Sequence, residues 1–137
     1  MAAATAQVRF ETASPSRLRQ RAAEQHKLIF MDLTASWCGP CRDMARKVFT
    51  DKQVGEFMDA GFLCVKIDVD TDEGQAIANA YEVQYIPTYL IFAPDMELIG
   101  RSSGARSREN FIKDMQTVLD HYRKLYPEAE DAVQPSE

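Results

Sequence analysis

The sequence predicts an α/β domain that combines a parallel strand pair with an antiparallel hairpin. Strand-like and helix-like segments alternate through much of the chain, which is typical of parallel strands joined by helices. A turn separates two further strand-like segments, and 137 residues with 45% hydrophobic content suffice for one core. We expect the domain to span residues 15–126, between a flexible segment at 1–14 and a disordered acidic tail at 127–137.

The first helix is predicted over residues 15–26 and the first strand over residues 27–34. Ser14 can cap the helix, and Pro15 suits its first position, where a missing N–H costs little. Residues 27–34 are almost wholly apolar, as expected for a strand buried on both faces. A single acid, Asp32, interrupts this strand.

The middle of the chain predicts two more helical stretches and a second strand. Residues 42–49 have helical periodicity, and residues 50–53 (Thr-Asp-Lys-Gln) form a capping-box pattern that predicts a restarted helix through residue 58. The chain is therefore expected to kink between the two helical stretches. Residues 61–69 alternate as a strand does, and residues 71–81 fit the next helix.

The last predicted elements are a hairpin and a long helix. Residues 88–92 are rich in strand-forming side chains and follow Pro87, residues 93–96 fit a turn, and residues 97–101 would return as an antiparallel partner. Residues 106–126 are amphipathic, which predicts a long helix with one buried face.

Charge and hydropathy argue against two kinds of partner. The net charge is −5, and 16 basic residues are scattered among 21 acidic ones, so no nucleic-acid surface is expected. No segment approaches the roughly 18 uninterrupted apolar residues of a membrane span. The small residues at positions 2–7 fit the remnant of a trimmed export signal or simply a flexible start. We expect a periplasmic or otherwise exported protein, with a cytoplasmic location as the alternative.

Cys38 and Cys41 stand where the first strand ends and a helix begins. Two cysteines separated by two residues can close a small disulfide ring across the first helical turn. Unpaired N–H groups and the helix dipole stabilise a thiolate there, so the pKa of Cys38 should lie below its free value of about 8.5. Cys38 would attack a partner's disulfide, and the shielded Cys41 would resolve the mixed disulfide. Pro40 favours the helical turn, and Gly39 leaves the Cys38 sulfur open to approach.

The same cysteine spacing also occurs as half of a zinc site. A complete site needs two more ligands, and the candidates Cys64, His26 and His121 do not form a second close pair. No metal or other cofactor is therefore expected. Cys64 lies between apolar neighbours in the second strand, where a free cysteine is typically an inert small hydrophobe.

Two motifs together resemble those of the thioredoxin family. Residues 37–41 (Trp-Cys-Gly-Pro-Cys) match its active-site signature, and residues 86–88 (Ile-Pro-Thr) resemble its cis-proline loop. The resemblance extends over residues 27–119. It implies a thioredoxin fold, in which helices flank a central mixed β-sheet and Pro87 is cis and faces the cysteine pair. Residues 15–26 would then form an N-terminal helical extension to this fold.

The resemblance also implies a set of substrate-binding residues. The Ile86 backbone would pair with an extended substrate strand beside Cys38, a form of β-augmentation. Trp37 would offer substrates an aromatic contact, although a tryptophan that serves only the fold fits the sequence nearly as well. Gly104 resembles the glycine of the family's substrate groove, and a simple turn glycine is the alternative. The predicted substrate-binding residues are Trp37, Gly39, Pro40, Ile86, Pro87 and Gly104.

Asp32 matches the buried acid of thioredoxins. Burial on an apolar strand should raise its pKa, which would suit a proton acceptor for Cys41 during resolution. The resemblance therefore implies three catalytic residues, Cys38, Cys41 and Asp32. The alternative is a structural carboxylate paired with Lys66, which also resembles a family position.

The sequence departs from small cytosolic thioredoxins after Cys41. The segment that leads to the second strand is longer, and the mid-helix proline is absent. Residues 47–51 (Lys-Val-Phe-Thr-Asp) resemble instead a branch of thioredoxin-like domains that includes exported bacterial ones and the reductase domain of a periplasmic electron relay.

These observations predict a monomeric thiol–disulfide oxidoreductase without a cofactor. It would reduce disulfides in protein substrates through Cys38 and Cys41 and be recharged by a thiol electron donor. Two alternatives stay open on the sequence alone. One is an oxidase or isomerase of an oxidising compartment, and the other is a binding module that retains the cysteines without turnover.

Overall fold

The computed structural model of the protein describes residues 7–127, which form a five-stranded mixed sheet with helices on both faces. In chain order the elements are strand β1 (Phe10–Glu11), helix α1 (Pro15–Gln25), strand β2 (Leu28–Thr34), helix α2 (Gly39–Asp43), a π-helical segment (Met44–Val48), helix α3 (Lys52–Gly61), strand β3 (Phe62–Asp68), helix α4 (Asp72–Ala80), strands β4 (Thr88–Phe92) and β5 (Leu98–Ser103), and helix α5 (Arg108–Leu125). The strands lie in the order β1-β3-β2-β4-β5.

This architecture confirms the predicted fold class. Central strand β2 is parallel to β3 and antiparallel to β4, and β5 returns antiparallel to β4 as the predicted hairpin. Helix α1 begins at Pro15 after the Ser14 cap and corresponds to the predicted N-terminal extension. Residues 1–6 and 128–137, which include most of the predicted acidic tail, lie outside the described residues. Within the described part of the chain, every helix is too short or too polar to cross a membrane.

Strand β1 lies inside the segment expected to be flexible, and the sequence pattern did not reveal it. Phe10 and Glu11 pair in parallel with Cys64 and Val65 of β3. Just before them, Val8 is buried and its N–H donates to the Phe49 carbonyl oxygen at 2.9 Å. Two residues are too few to show a strand periodicity, so only the tertiary contacts identify this element.

The core has two layers because successive side chains of a strand point to opposite faces. One layer is aromatic: Phe30 stacks on Tyr89 at a centroid distance of 5.2 Å and meets Phe111 edge-on at 5.7 Å. The other layer is mainly aliphatic and lies under α1 and α4. It includes Leu18 and Ala22, the buried residues of α1.

The helical stretch after the cysteine pair ends in the π-helical segment Met44–Val48, and α3 begins a few residues later. The Phe49 N–H donates to the Met44 carbonyl oxygen, five residues earlier, at 2.9 Å. The wider turn brings Met44 and Val48 into the aromatic layer. Helix α3 then restarts as predicted, but its cap is Asp51, whose carboxylate accepts from the Val54 N–H at 3.0 Å.

Candidate active site at the cysteine pair

Cys38 and Cys41 are joined by a disulfide at the start of α2. Their Cα atoms are 5.3 Å apart, and Cys38 is the residue that caps the helix. The Cys41 N–H points at the Cys38 sulfur, with 3.2 Å between the nitrogen and Sγ. The backbone therefore places a hydrogen-bond donor and the positive end of the helical turn at one particular sulfur.

Burial does not distinguish the two cysteines. Cys41 is shielded as predicted, with 6% of its surface exposed, but Cys38 is shielded to the same degree at 4%. What distinguishes them is their surroundings. Cys38 Sγ lies 3.8 Å from the carbonyl oxygen of Ile86, so it is the sulfur beside the loop that carries Pro87.

The loop before β4 holds the Ile86–Pro87 peptide bond in the cis form, as the resemblance implied. The Thr88 hydroxyl anchors it by donating to the Tyr85 carbonyl oxygen at 2.5 Å. On the other side of the loop, the Gly104 N–H donates to the Pro87 carbonyl oxygen at 2.8 Å. These bonds fix the backbone of Ile86 next to the disulfide.

Two glycines border the site for different reasons. Gly104 has φ +93°, a conformation that favours glycine, and the position where a Cβ would stand is open. The turn alone therefore explains this glycine, while the open space beside it also fits a groove. Gly39 likewise has no neighbour within 4 Å of a Cβ position, so the approach to Cys38 is clear on that side.

Trp37 and Tyr85 form an exposed aromatic rim around the disulfide. Trp37 is 63% exposed, and its Nε1–H donates to Asp70 at 2.8 Å, which orients the indole without burying it. Tyr85, at 74%, is even more exposed. Neither Tyr85 nor Asp70 was predicted from the sequence to belong to the site. The position of Tyr85 directly before Ile86–Pro87 could have identified it as a neighbour of the site. The hydrogen bond between Trp37 and Asp70 joins residues 33 positions apart, so no local sequence pattern predicts it.

Asp32 is buried on β2, on the face that carries Phe30 and the aromatic layer. Burial raises the pKa of its carboxyl from 3.8 to about 7, and the positive charge of Lys66 opposes part of this rise. The two residues are register partners across β2 and β3, yet no ion pair within 4.0 Å joins them in residues 7–127.

A cavity of about 340 Å³ lies beside Cys41 and the end of β3. Cys41 and Lys66 both line it, whereas Ile86 and Pro87 do not. Arg42 closes one wall, with its guanidinium donating to the Ser36 carbonyl oxygen at 2.8 Å.

Cys64 stands apart from this chemistry. It is a free thiol on β3, 3% exposed, and burial raises its pKa well above the ordinary range. A thiol that stays protonated is a poor nucleophile, which agrees with the expectation of an inert hydrophobe.

Comparison with known proteins places these features in a family. A sequence profile described as thioredoxin-like matches residues 9–94, more than half of the chain. A thioredoxin H-type from Oryza sativa subsp. indica is 41% identical over 102 residues, which are 74% of each protein. A protein disulfide-isomerase from Hordeum vulgare is 28% identical over 108 residues, 79% of this chain and 21% of that protein.

The solved structures agree with the sequence relatives. A putative disulphide-isomerase from Bacteroides thetaiotaomicron superimposes with a TM-score of 0.75 at 28% identity, covering 85% of this chain and 97% of that one. Several curated relatives are longer proteins: the chain spans about a fifth of the barley isomerase and 61% of Thioredoxin H2-1 from Oryza sativa subsp. japonica. The profile match, the relatives and the fold lead to one conclusion: the chain belongs to the thioredoxin-like family.

Proposed function

We propose that this protein is a thiol–disulfide oxidoreductase that reduces disulfides in other proteins, with Cys38 as nucleophile and Cys41 as resolving thiol. The observation that carries the proposal is the Cys38–Cys41 disulfide at a helix start, with Cys38 Sγ 3.8 Å from the carbonyl oxygen of Ile86. One sulfur is activated by the helix and lies beside a loop able to hold a substrate strand, and the other lies one turn away.

The first step begins from the reduced protein. The Cys38 thiolate attacks one sulfur of the substrate disulfide, that S–S bond breaks, and the second substrate sulfur leaves as a thiolate that takes a proton from water. The product is a mixed disulfide between Cys38 and the substrate. The Cys41 N–H, which points at the Cys38 sulfur, stabilises its negative charge before the attack.

The second step releases the substrate. Cys41 gives its proton to Asp32, and the resulting thiolate attacks the Cys38 sulfur, so the mixed disulfide breaks and the substrate leaves fully reduced. A carboxyl with a pKa of about 7 is able to accept a proton from a thiol near neutral pH and to return it. A thiol donor then supplies two electrons and two protons to reopen the Cys38–Cys41 ring.

Substrates are proposed to bind as an extended strand along the cis-proline loop. The Ile86 backbone would hydrogen-bond the strand, and Pro87 and Gly104 would form its floor. Trp37 would contact it from the other side of the disulfide, where its indole is exposed. Gly39 and Pro40 complete the surface, and the open space at Gly39 supports this assignment.

Reduction of insulin with a dithiol donor tests the proposal. Cys38→Ser should abolish reduction, Cys41→Ser should trap substrates as mixed disulfides at Cys38, and Cys64→Ser should behave like the parent because Cys64 is buried outside the site. Activity of Cys38→Ser equal to that of the parent would leave only the binding-module interpretation.

Isomerase or oxidase activity is the second candidate. The observation that favours it is the similarity to a protein disulfide-isomerase and to a putative disulphide-isomerase. The reduction potential separates the candidates: a value near about −270 mV supports a reductase, and a value of about −180 to −120 mV supports an isomerase or oxidase. Equilibration of the Cys38–Cys41 pair with glutathione and with dithiothreitol measures it.

A monomeric state and an exported location complete the proposal. The resemblance of residues 47–51 to exported bacterial domains supports the exported location. Cell fractionation of the native protein distinguishes export from a cytoplasmic location, and light scattering of the purified chain measures its oligomeric state.

A further inference from the structure

Lys66 is paired with Asp32 across strands β2 and β3, but its ammonium lies over the ring of Phe10. The two residues are Cα partners in the parallel pair β2-β3, so their side chains point to the same face of the sheet. The Lys66 ammonium lies 4.9 Å from the centroid of the Phe10 ring on β1. The negative face of an aromatic ring attracts a cation at this distance. The edge-strand aromatic and the buried carboxyl therefore compete for the same ammonium.

Phe10 is held in place by contacts that do not depend on Lys66. Its backbone pairs with Cys64, and its ring meets Phe49 edge-on at a centroid distance of 5.6 Å. The neighbouring Glu11 carboxylate is occupied by Arg21 of α1 at 2.9 Å. The position of the Phe10 ring is therefore fixed by β1 and Phe49, and the Glu11 carboxylate is already paired with Arg21.

We propose that Phe10 is a positioning residue of the redox site: its ring holds the Lys66 ammonium at the edge of the sheet and so leaves the Asp32 carboxyl without a close cation. The inference rests on the proposed role of Asp32, but it concerns only the position of the Lys66 ammonium relative to the Asp32 carboxyl. Through Phe10, the two-residue strand β1 would influence the redox site, although β1 contributes no reacting group to it.

The other groups around Asp32 cannot supply the same effect. Tyr89 faces it from β4, and Cys64 lies on β3 on the same side of the sheet; burial raises the pKa of both, so both stay neutral. Cys41 of α2 and Asp68 of β3 line the same cavity as Lys66. Cys41 does not titrate in the oxidised protein, and no ion pair within 4.0 Å joins Asp68 to Lys66 among residues 7–127. Lys66 is the group whose charge lowers the pKa of Asp32.

Titration of the Asp32 carboxyl by ¹³C NMR in the oxidised full-length protein tests this inference. Phe10→Leu keeps an apolar side chain but removes the ring, so Lys66 becomes free to approach Asp32. We expect the Asp32 midpoint to fall by about half a pH unit, the size set by an exposed cation–π contact. Phe10→Tyr, which keeps the ring, should leave the midpoint unchanged.

Two further variants separate the effect of the Lys66 charge from a general loss of core packing. Phe57→Leu makes the same change in a ring that packs on Phe62, and it should not move the Asp32 midpoint. Lys66→Met should raise the midpoint and abolish the effect of Phe10→Leu. Should Phe10→Leu fail to fold, pentafluorophenylalanine at position 10 keeps the ring size, removes its negative face and should give the same fall.

Either of two results would overturn the inference. One is an Asp32 midpoint that does not fall when the ring face is removed, and the other is a fall of equal size in the Lys66→Met background. The outcome is independent of turnover. Unchanged insulin reduction by Asp32→Asn would refute the proposed proton transfer without altering these titrations.

Discussion

Asp32 makes the stability of this protein depend on pH. Its carboxyl ionises at about 7 in the folded chain and near 3.8 in the unfolded chain, because only folding buries it. Between these pH values the folded state holds a proton that the unfolded state has lost, so stability falls as pH rises through this window. Above pH 7 the loss is complete, with an upper bound of roughly 4 kcal/mol.

Asp32→Asn should remove this dependence. We expect the parent to lose stability from pH 4 to about pH 7 and the variant to change much less, so that the variant is the more stable protein at pH 8. Urea unfolding of the oxidised proteins across this range measures the difference. Parallel curves for the two proteins would show that burial does not perturb this carboxyl.

Tyr89 carries a second buried polar group, and its hydroxyl finds no hydrogen-bond partner among residues 7–127. The side chain is 0% exposed and its ring stacks on Phe30. Tyr89→Phe keeps the ring and removes the unpaired hydroxyl, so we expect the free energy of unfolding to rise by about 1 kcal/mol. Thermal or urea unfolding measures the change, and a loss of stability would mean that the hydroxyl has a partner in solution.

At the scale of elements, the sequence predicted the helices and strands whose positions are set by residues close together in the chain. Strand β4 begins and ends at the predicted residues, and α4 begins after Thr71, whose hydroxyl accepts from the Gly74 N–H at 3.0 Å. Strand β1 and the π-helical segment were missed. The first is too short for a periodic pattern. The second differs from an α-helix in hydrogen bonds that span five residues instead of four, and over one turn this changes the hydrophobic spacing too little to be recognised.

The contact between α4 and the end of β3 depends on one glycine. A Cβ at Gly74 would overlap the carbonyl oxygen of Asp68, which is backbone and cannot turn aside. We therefore expect Gly74→Ala to destabilise the protein by about 2 kcal/mol through displacement of α4. Gly39→Ala is the matched control, because nothing lies within 4 Å of its Cβ position. Equal urea midpoints for the two variants would contradict this close approach.

At the scale of the whole molecule, the sequence predicted the cysteine pair and the cis Pro87 better than the contacts around them. Both belong to short motifs that can be recognised without a structure, and Asp32 stands out as the single acid of an apolar strand. The Trp37 indole N–H donates to Asp70, and the Lys66 ammonium lies over the Phe10 ring. These pairings join segments distant in the chain, and no local pattern encodes them.

The exposed aromatic rim leads to a prediction about substrate size. Tyr85 is 74% exposed beside the loop proposed to hold the substrate strand, so it should contact a polypeptide but not a small disulfide that reaches only Cys38. Tyr85→Ala should raise KM for insulin about fivefold, the effect of losing an aromatic contact of about 1 kcal/mol. It should leave the reaction with a small aromatic disulfide unchanged.

Leu125→Ala is the matched control for Tyr85→Ala, since Leu125 is a comparably exposed apolar side chain at the end of α5. It should alter neither reaction. Steady-state reduction of both substrates measures the two effects side by side. A fall in rate with both substrates after Tyr85→Ala would mean that Tyr85 supports the Ile86–Pro87 loop, whose backbone lies against Cys38, rather than binding the polypeptide.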